Sequence, residues 1–391
     1  MTKTVQSLGT RLRAARIAFG LAVVLVPAVA ARAQTFKVLY NFTGGADGGY
    51  PYANLIQDAK GNLYGTTSAG GPSGVGTVFK VDKTGKETVL YSFTGGADGG
   101  YPFAGLIQDP SGLLYGTTDS GGTSSYGTVF KVAPKTGKET VLYSFTGSGG
   151  DGEYPNAGLL RDNKGNLYGT NEWAGASGYG TVFKVGKTGK ETVLHGFGGS
   201  DGAYPFAGLV RDSKGNLYGY TAGGGTYSAG TVFMVDDTGT ETVLWNFSGG
   251  ADGGYPFYGY LVRDSKGNLY GTTEGGGASG YGTVYKLTPA GKESVLYSFT
   301  GTGGDGGWPY AGVVRDASGN LYGTTDVGGA SGYGTVFMVG KTGKETVLHS
   351  FDYSDGESPF AGLLRDAKGN LYGTTYLGGA SGYGVVFEVT P

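Results

Sequence analysis

From residue 35 onward the chain is a succession of short runs rich in Val, Leu, Phe, Tyr and Thr, each cut off by Gly, Asp, Asn or Lys. Runs of that length and composition predict β-strands bounded by tight turns. In one representative stretch the predicted strands are Phe103 to Asp109, Leu113 to Thr118, Gly127 to Val132 and Glu139 to Phe145. Both faces of these strands are apolar: Val129 alternates with Phe130 and Val132, and Leu142 with Val141 and Tyr143. Strands apolar on both sides suit a sheet sandwiched between neighbouring sheets, whereas a sheet facing water would show one polar side.

The pattern repeats. Leu-Tyr-Gly recurs at Leu63, Leu114, Leu167, Leu217, Leu269, Leu321 and Leu371, with spacings of 51, 53, 50, 52, 52 and 50 residues. Seven copies with four strands each predict an all-β fold, a seven-bladed β-propeller of four antiparallel strands per blade, because a solenoid coil is usually much shorter. The ends of the repeat region predict how the ring closes. Phe36 to Phe42 matches the fourth strand of the other copies, while the last copy stops after its third strand, Val385 to Val389. Residues 36–42 are therefore expected antiparallel to residues 384–389, completing the last blade.

Glycine, at 83 of 391 residues, is about three times ordinary usage, but it is periodic and marks turns rather than disorder. Ahead of the repeats, Lys3, Arg11, Arg13 and Arg16 precede an apolar run from Ile17 to Ala30 and the small-residue pattern Ala31-Arg32-Ala33. This reads as a secretory signal peptide, residues 1–33, cleaved before Gln34; the run is too short and Pro-interrupted for a lasting membrane span. Residues 34–391 form the propeller domain, expected to be secreted or periplasmic. The absence of Cys removes disulfides, thiolate metal sites and thiol nucleophiles. Removing the five basic side chains of the signal segment leaves 24 basic against 31 acidic residues, which argues against nucleic acid as a partner.

The string Asp162-Asn163-Lys164-Gly165-Asn166-Leu167-Tyr168-Gly169-Thr170, followed by Gly180-Thr181-Val182-Phe183-Lys184-Val185, resembles the GloVer tandem repeat of exported bacterial "choice-of-anchor" proteins. The resemblance spans residues 35–391 and implies export. A sorting or anchoring tail often follows the repeats in that family; this chain ends at Glu388-Val389-Thr390-Pro391, so surface anchoring is not expected. The Asp-x-x-Gly-Asn-Leu-Tyr turn is also similar to that of NHL and SMP-30-type propellers, which bears on fold alone.

Alternating strand direction segregates the connections. Turns such as Asp58 to Asn62 and Lys83 to Glu87 lie on one face, short and nearly uniform; long loops such as Thr94 to Tyr101 and Asp119 to Tyr126 lie on the other. A binding surface is expected on the long-loop face. Asp47, Asp98, Asp151, Asp201, Asp252, Asp305 and Asp355 each precede Gly there. They read as turn formers, with Ca²⁺ as the alternative cofactor, since one carboxylate per loop falls short of the roughly 6 to 8 oxygens the ion takes. Pro51, Pro102, Pro155, Pro205, Pro256, Pro309 and Pro359 read as scaffold. His195 and His349 occupy the fourth-strand place of Tyr91, Tyr143, Trp245 and Tyr297, and read as replacements for a packed aromatic rather than a catalytic pair.

Positions that differ between copies are not demanded by the shared fold, so they supply the candidate ligand-binding residues. After the second strand the copies read Ser68, Asp119, Glu172, Ala222, Glu274, Asp326 and Tyr376; nearby stand the blade-specific aromatics Trp173, Tyr220, Tyr227, Tyr258, Tyr260 and Trp308. The fifth copy has one extra residue between Pro256 and Asp264, which predicts a bulge that re-aims a side chain. Aromatic rings flanked by acids suit a polysaccharide or a protein ligand; packing between blades is the structural alternative. The leading expectation is a non-catalytic binding propeller. A propeller-type glycan-cleaving enzyme using carboxylates such as Glu172 and Glu274, or a structural envelope component, are the rivals.

Overall fold

The computed structural model describes residues 34–391; the predicted signal peptide lies outside the described residues. Seven four-stranded antiparallel sheets form the blades of a β-propeller. In blade one the strands are Ile56–Gln57, Leu63–Thr67, Thr77–Val81 and Glu87–Ser92, ordered from the axis outward. The first strand is shorter than expected, two ladder residues in each blade, because the segment before it runs along the axis instead of pairing within its own sheet. Among the described residues there is no helix.

Closure occurs as the termini predict. Thr35–Asn41 pairs antiparallel with Val385–Thr390, from Thr35 opposite Thr390 to Asn41 opposite Val385. The register slips at Leu39, and the same slip recurs between the third and fourth strands of the other blades, as at Leu90 in blade one. The N-terminal strand thus reproduces the fourth-strand geometry in detail.

Between blades lies a layered apolar core. Phe79, Phe130, Phe183, Phe233, Tyr285, Phe337 and Phe387 are all fully buried. Each meets the aromatic that ends the preceding blade, for example Phe93 against Phe130 with ring centroids 5.0 Å apart, edge to face. Opposite each of these rings the second strand carries Gly, and a Cβ at Gly65 would stand 2.6 Å from the Phe79 ring, so the Gly of Leu-Tyr-Gly is required by close approach. At six junctions the second strand is tied to the next blade: Thr66 Oγ1 donates to the Ala104 carbonyl (3.0 Å), and Thr374 repeats this across the ring closure to Ala53 (3.4 Å).

The short-turn face is built by saturated carboxylates. Asp162 accepts from the Lys164 and Asn166 amides (2.9 and 2.8 Å), from Asn166 Nδ2 (2.8 Å) and from the Tyr168 hydroxyl (3.1 Å). Asp58, Asp212, Asp264 and Asp366 do the same. Burial works against their ionisation, but these hydrogen bonds outweigh it and hold the carboxyls of Asp58, Asp162, Asp212 and Asp264 below the usual range.

Candidate functional site

Each blade meets the axis, at the long-loop end, through the residue after its proline: Tyr52, Phe103, Asn156, Phe206, Phe257, Tyr310 and Phe360. Proline fixes the backbone there without losing a ladder bond. Six of the seven are aromatic, and with Tyr258 they form a floor. Tyr52 lies 4.9 Å from Tyr258 and 5.1 Å from Phe360, and Phe206 lies 4.5 Å from Phe257.

Below this floor the channel is stoppered. Five blades present Gly105, Gly158, Gly208, Gly312 and Gly362, and the space they leave is taken by two side chains. Asn54 accepts the Gly362 amide (2.7 Å). Tyr260 reaches across, so that a Cβ would stand 1.6 Å from its hydroxyl at Gly158 and 1.9 Å from its ring at Gly208. The remaining cavity is about 30 Å³, room for one or two waters. The extra residue of blade five does re-aim a side chain: Gly259, at φ 121°, and Tyr260 pair in parallel with Ala207–Gly208 and carry the phenol to the axis.

Two candidate aromatics are therefore not surface rings. Tyr260 is the stopper. Tyr220 is 1% exposed, inside the core between blades four and five with Tyr285. It stands where the other second strands carry the Thr that bonds to the next blade, and blade five's altered first strand offers no matching alanine carbonyl. Buried in that core, Tyr220 presents no face to a ligand.

The candidate acids surround the mouth above the floor, in two pairs from adjacent blades. Asn156, the one non-aromatic member of the ring, donates through Nδ2 to Glu172 (2.8 Å) and stands beside Asp119. Burial pushes the Asp119 carboxyl up to about 6, with the Asn156 amide pulling the other way. Burial likewise raises Glu172, opposed by bonds from Trp173 and Asn156 and reinforced by the Asp119 charge. On the other side burial raises Glu274, with the neighbouring Tyr310 hydroxyl opposing and the Asp326 charge adding to it; Asp326 is raised by its own burial, with the neighbouring Ser358 opposing. Asn156 Oδ1 and Asp326 Oδ1 are buried with no partner. Such incompletely satisfied groups mark places where a ligand can supply the missing bond.

Tyr376 packs against Tyr50 and Tyr52 at 5.1 and 5.7 Å, beside the same mouth. Trp173 (41% exposed) leans on Tyr204 at 4.6 Å, and Trp308 (39%) stacks over Tyr281 at 5.9 Å. Tyr227 is 61% exposed but stands at the rim of blade four, beside a groove lined by Trp245 and Asp252. A broader groove of about 790 Å³ opens on the short-turn face between blades one and two, where the turn Ala133 to Gly137 is one residue longer than its counterparts.

Of the residues before the prolines, only Trp308 is among the candidates that the sequence supplies. Tyr50, Tyr101, Tyr154, Tyr204, Tyr255, Trp308 and Ser358 all have φ between 52° and 59°, a left-handed conformation that costs a non-glycine residue on the order of 1 kcal/mol or more. Six are aromatic, and they ring the mouth. The five tyrosines recur from blade to blade, so blade-specific variation does not mark them; the signal in the sequence is the repeated aromatic-Pro pair.

At the outer wall each interblade Asp closes its loop. Asp98 accepts from the Tyr91 hydroxyl (2.8 Å) and the Thr94 amide (2.9 Å), which leaves few oxygens for Ca²⁺. His195 and His349 take the place of that tyrosine, 2.9 Å from Asp201 and 2.8 Å from Asp355.

No curated protein matches the sequence. Among solved structures, virginiamycin B lyase from Staphylococcus aureus is similar in fold (TM-score 0.60, 13% identity), covering 92% of this chain and 99% of the lyase. The extracellular domain of a hybrid two-component system from B. thetaiotaomicron aligns with TM-score 0.59 and 11% identity over 90% of this chain and 39% of that one. An oligogalacturonate lyase solved with manganese gives TM-score 0.55 and 12% identity over 88% and 89%. At such identities these likenesses speak to fold alone. The Gloeobacter/Verrucomicrobia repeat matches residues 25–164, 148–263 and 251–391, and the chain belongs to that repeat family.

Proposed function

We propose that the protein is an exported, non-catalytic binding propeller that recognises a polysaccharide outside the cytoplasm at the mouth of the ring. The observation that carries this reading is the collar of aromatics held at positive φ around four partly desolvated carboxyls, above a channel closed by Tyr260 and Asn54. Strain of this kind persists where the surroundings enforce it, often for function. A sealed floor leaves a shallow basin suited to a chain lying across it. Sugar C–H faces stack on rings while hydroxyls bond to Asp119, Glu172 and the free Asn156 carbonyl oxygen. The net negative charge disfavours polyanionic glycans, and the signal-like N-terminus supports action beyond the cytoplasm.

The test is binding of the mature chain to a panel of neutral polysaccharides, comparing wild type with Trp173→Ala, Tyr255→Ala and Trp308→Ala. Affinity lost in these variants, with unchanged melting, is the expected result. Full affinity in all three, or capture of a protein with no glycan bound, would overturn it.

One observation favours a second reading. Asp119 and Glu172 are two buried carboxyls flanking Asn156, and a pair of carboxyls is what glycan cleavage by acid and base requires. Depolymerisation of the bound glycan that disappears in Asp119→Asn would make the protein an enzyme.

A further inference from the structure

Among the described residues the only contacts within 4 Å between a basic and an acidic side chain are His195–Asp201 and His349–Asp355. They sit at equivalent places on the outer wall but differ in what the next blade brings. Beside His195 and Asp201 stands Glu241, the first residue of the fourth strand of blade four; one ligand atom from each lies within 4.8 Å of the others. Beside His349 the corresponding residue is Phe36, which stacks flat on the imidazole at 3.6 Å.

The other junctions keep the acids and lose the imidazole. Glu87, Glu139, Glu191, Glu293 and Glu345 occupy the place of Glu241, but they face Tyr40, Tyr91, Tyr143, Trp245 and Tyr297. Tyrosine in that place satisfies its Asp as a neutral donor, as Tyr40 does with Asp47 at 2.9 Å. Only the third-to-fourth junction brings an imidazole nitrogen and two carboxylates together.

We propose that His195, Asp201 and Glu241 form a Zn²⁺-class divalent-cation site at the junction of blades three and four, with water completing the coordination. Three nitrogen and oxygen ligands plus an open position is a familiar zinc arrangement. Ligands at about 2.05 Å in a tetrahedron stand roughly 3.3 Å apart. His195 Nε2 and Asp201 Oδ2 are already 2.9 Å apart, so adjustment is confined to side chains. Asp201 is held from behind: its Oδ1 accepts the Gly198 amide (2.8 Å) and its carbonyl accepts Thr231 Oγ1 (3.2 Å), the outer-shell support a ligand needs. Glu241 Oε1 is buried with no hydrogen-bond partner, as are the equivalent oxygens of Glu87, Glu139, Glu191, Glu293 and Glu345, so it is the imidazole of His195 that sets this junction apart. Two close carboxylates without a neighbouring Lys or Arg are what a divalent ion neutralises. His195 and Asp201 are reachable from solvent, their side chains being 17% and 25% exposed.

The test titrates the mature chain, stripped with chelator, with Zn²⁺ by calorimetry and with Co²⁺ by visible absorbance. Wild type is expected to take one equivalent. His195→Tyr installs the residue that four other blades carry, so it should fold; it is expected to lose the equivalent, and Glu241→Gln to weaken binding by at least the roughly 10- to 100-fold that loss of an outer-shell partner costs. His349→Tyr is expected to change nothing. Phe36→Glu completes the set at the ring closure and is expected to add a second equivalent. No saturable binding by wild type, or a stoichiometry unchanged by His195→Tyr, overturns the site. A Phe36→Glu chain that melts normally yet binds only one ion overturns the claim that glutamate completes it.

Discussion

The two ends of the ring treat the same functional group in opposite ways. At the short turns Asp162 spends both oxygens on four donors within its own loop, and its carboxyl sits below the usual range. At the mouth Asp119 is buried with Asn156 as its principal partner and is raised to about 6, while Asp326 keeps one buried oxygen unpaired. The first kind of carboxylate shapes backbone; the second is left with capacity that the fold does not use. A polar group's degree of satisfaction, more than its identity or its recurrence, separates scaffold from candidate site here.

The sharpest way to break this comparison is to remove one acid from each end. Asp162→Ala is expected to destabilise the protein by about 3 kcal/mol, since hydrogen bonds to a charged acceptor are worth roughly 1.5–3 kcal/mol each and their donors are then left unpaired. Glycan affinity should not change. Asp119→Ala is expected to do the reverse, costing binding and little stability. Denaturant melts paired with binding assays read both; a mouth acid whose loss unfolds the blade would erase the distinction.

The next effect concerns the stopper that separates the two ends. Gly208→Ala drives a methyl into the Tyr260 ring at 1.9 Å, an overpacking expected to cost about 2 kcal/mol. Gly105 is the internal control, because its Cβ would meet the Asn54 carbonyl oxygen at 3.1 Å, and Gly105→Ala is expected to cost less. Equal melting of the two variants would mean that the ring of Tyr260 moves aside freely and that the channel is not closed.

Much of this was legible in the sequence, and the failures have physical causes. The Leu-Tyr-Gly period gave seven blades, and the fourth-strand likeness of Phe36 to Phe42 gave the closing ladder, because repeat number and strand pairing are properties of pattern. Whether Trp173, Tyr227 and Trp308 pack between blades or face solvent is open in the sequence, and the structure leaves them 41%, 61% and 39% exposed. Tyr220 and Tyr260 were misread because a side chain packed inside the ring can vary between blades as a ligand contact would. Only the packing of Gly158, Gly208 and Tyr285 around them reveals the difference. The pre-proline tyrosines escape a sequence reading for the converse reason: they recur from blade to blade, and their φ near 55° is invisible until the backbone is seen.

That φ provides a smaller and oppositely signed effect. Replacing Trp308 by Gly relieves a left-handed backbone costing on the order of 1 kcal/mol, against a glycine entropy cost of roughly 0.5–1 kcal/mol and the lost stacking on Tyr281. Stability is expected to stay within about 1 kcal/mol of wild type while glycan affinity falls. A loss of stability as large as that of Asp162→Ala would show that the collar is scaffold after all.

The smallest effect is spread over the pH profile. Asp162 has an ordinary value of 3.8 and lies below it when folded, hydrogen bonds outweighing burial. The unfolded chain then binds more protons, so this contribution is present above 3.8 and is lost as pH falls through the lower folded value. Asp119 shifts the other way, from 3.8 to about 6, as burial dictates. Glu87, Glu139, Glu191, Glu241, Glu293 and Glu345 shift from 4.5 to about 7, through burial and the neighbouring interblade Asp. For these the folded chain holds protons that the unfolded chain has released, so stability declines as pH rises through that window and levels off above about 7. Solvent screening makes each contribution modest; their sum should place the highest melting temperature on the acid side of neutrality. Asp119→Asn is expected to shave the decline slightly below pH 6, and Glu87→Gln to remove about one sixth of the glutamate part. Melting curves at constant ionic strength decide it, and a melting temperature flat from 4.5 to 7 would mean that water reaches these carboxyls and that the contrast between the two ends is only geometric.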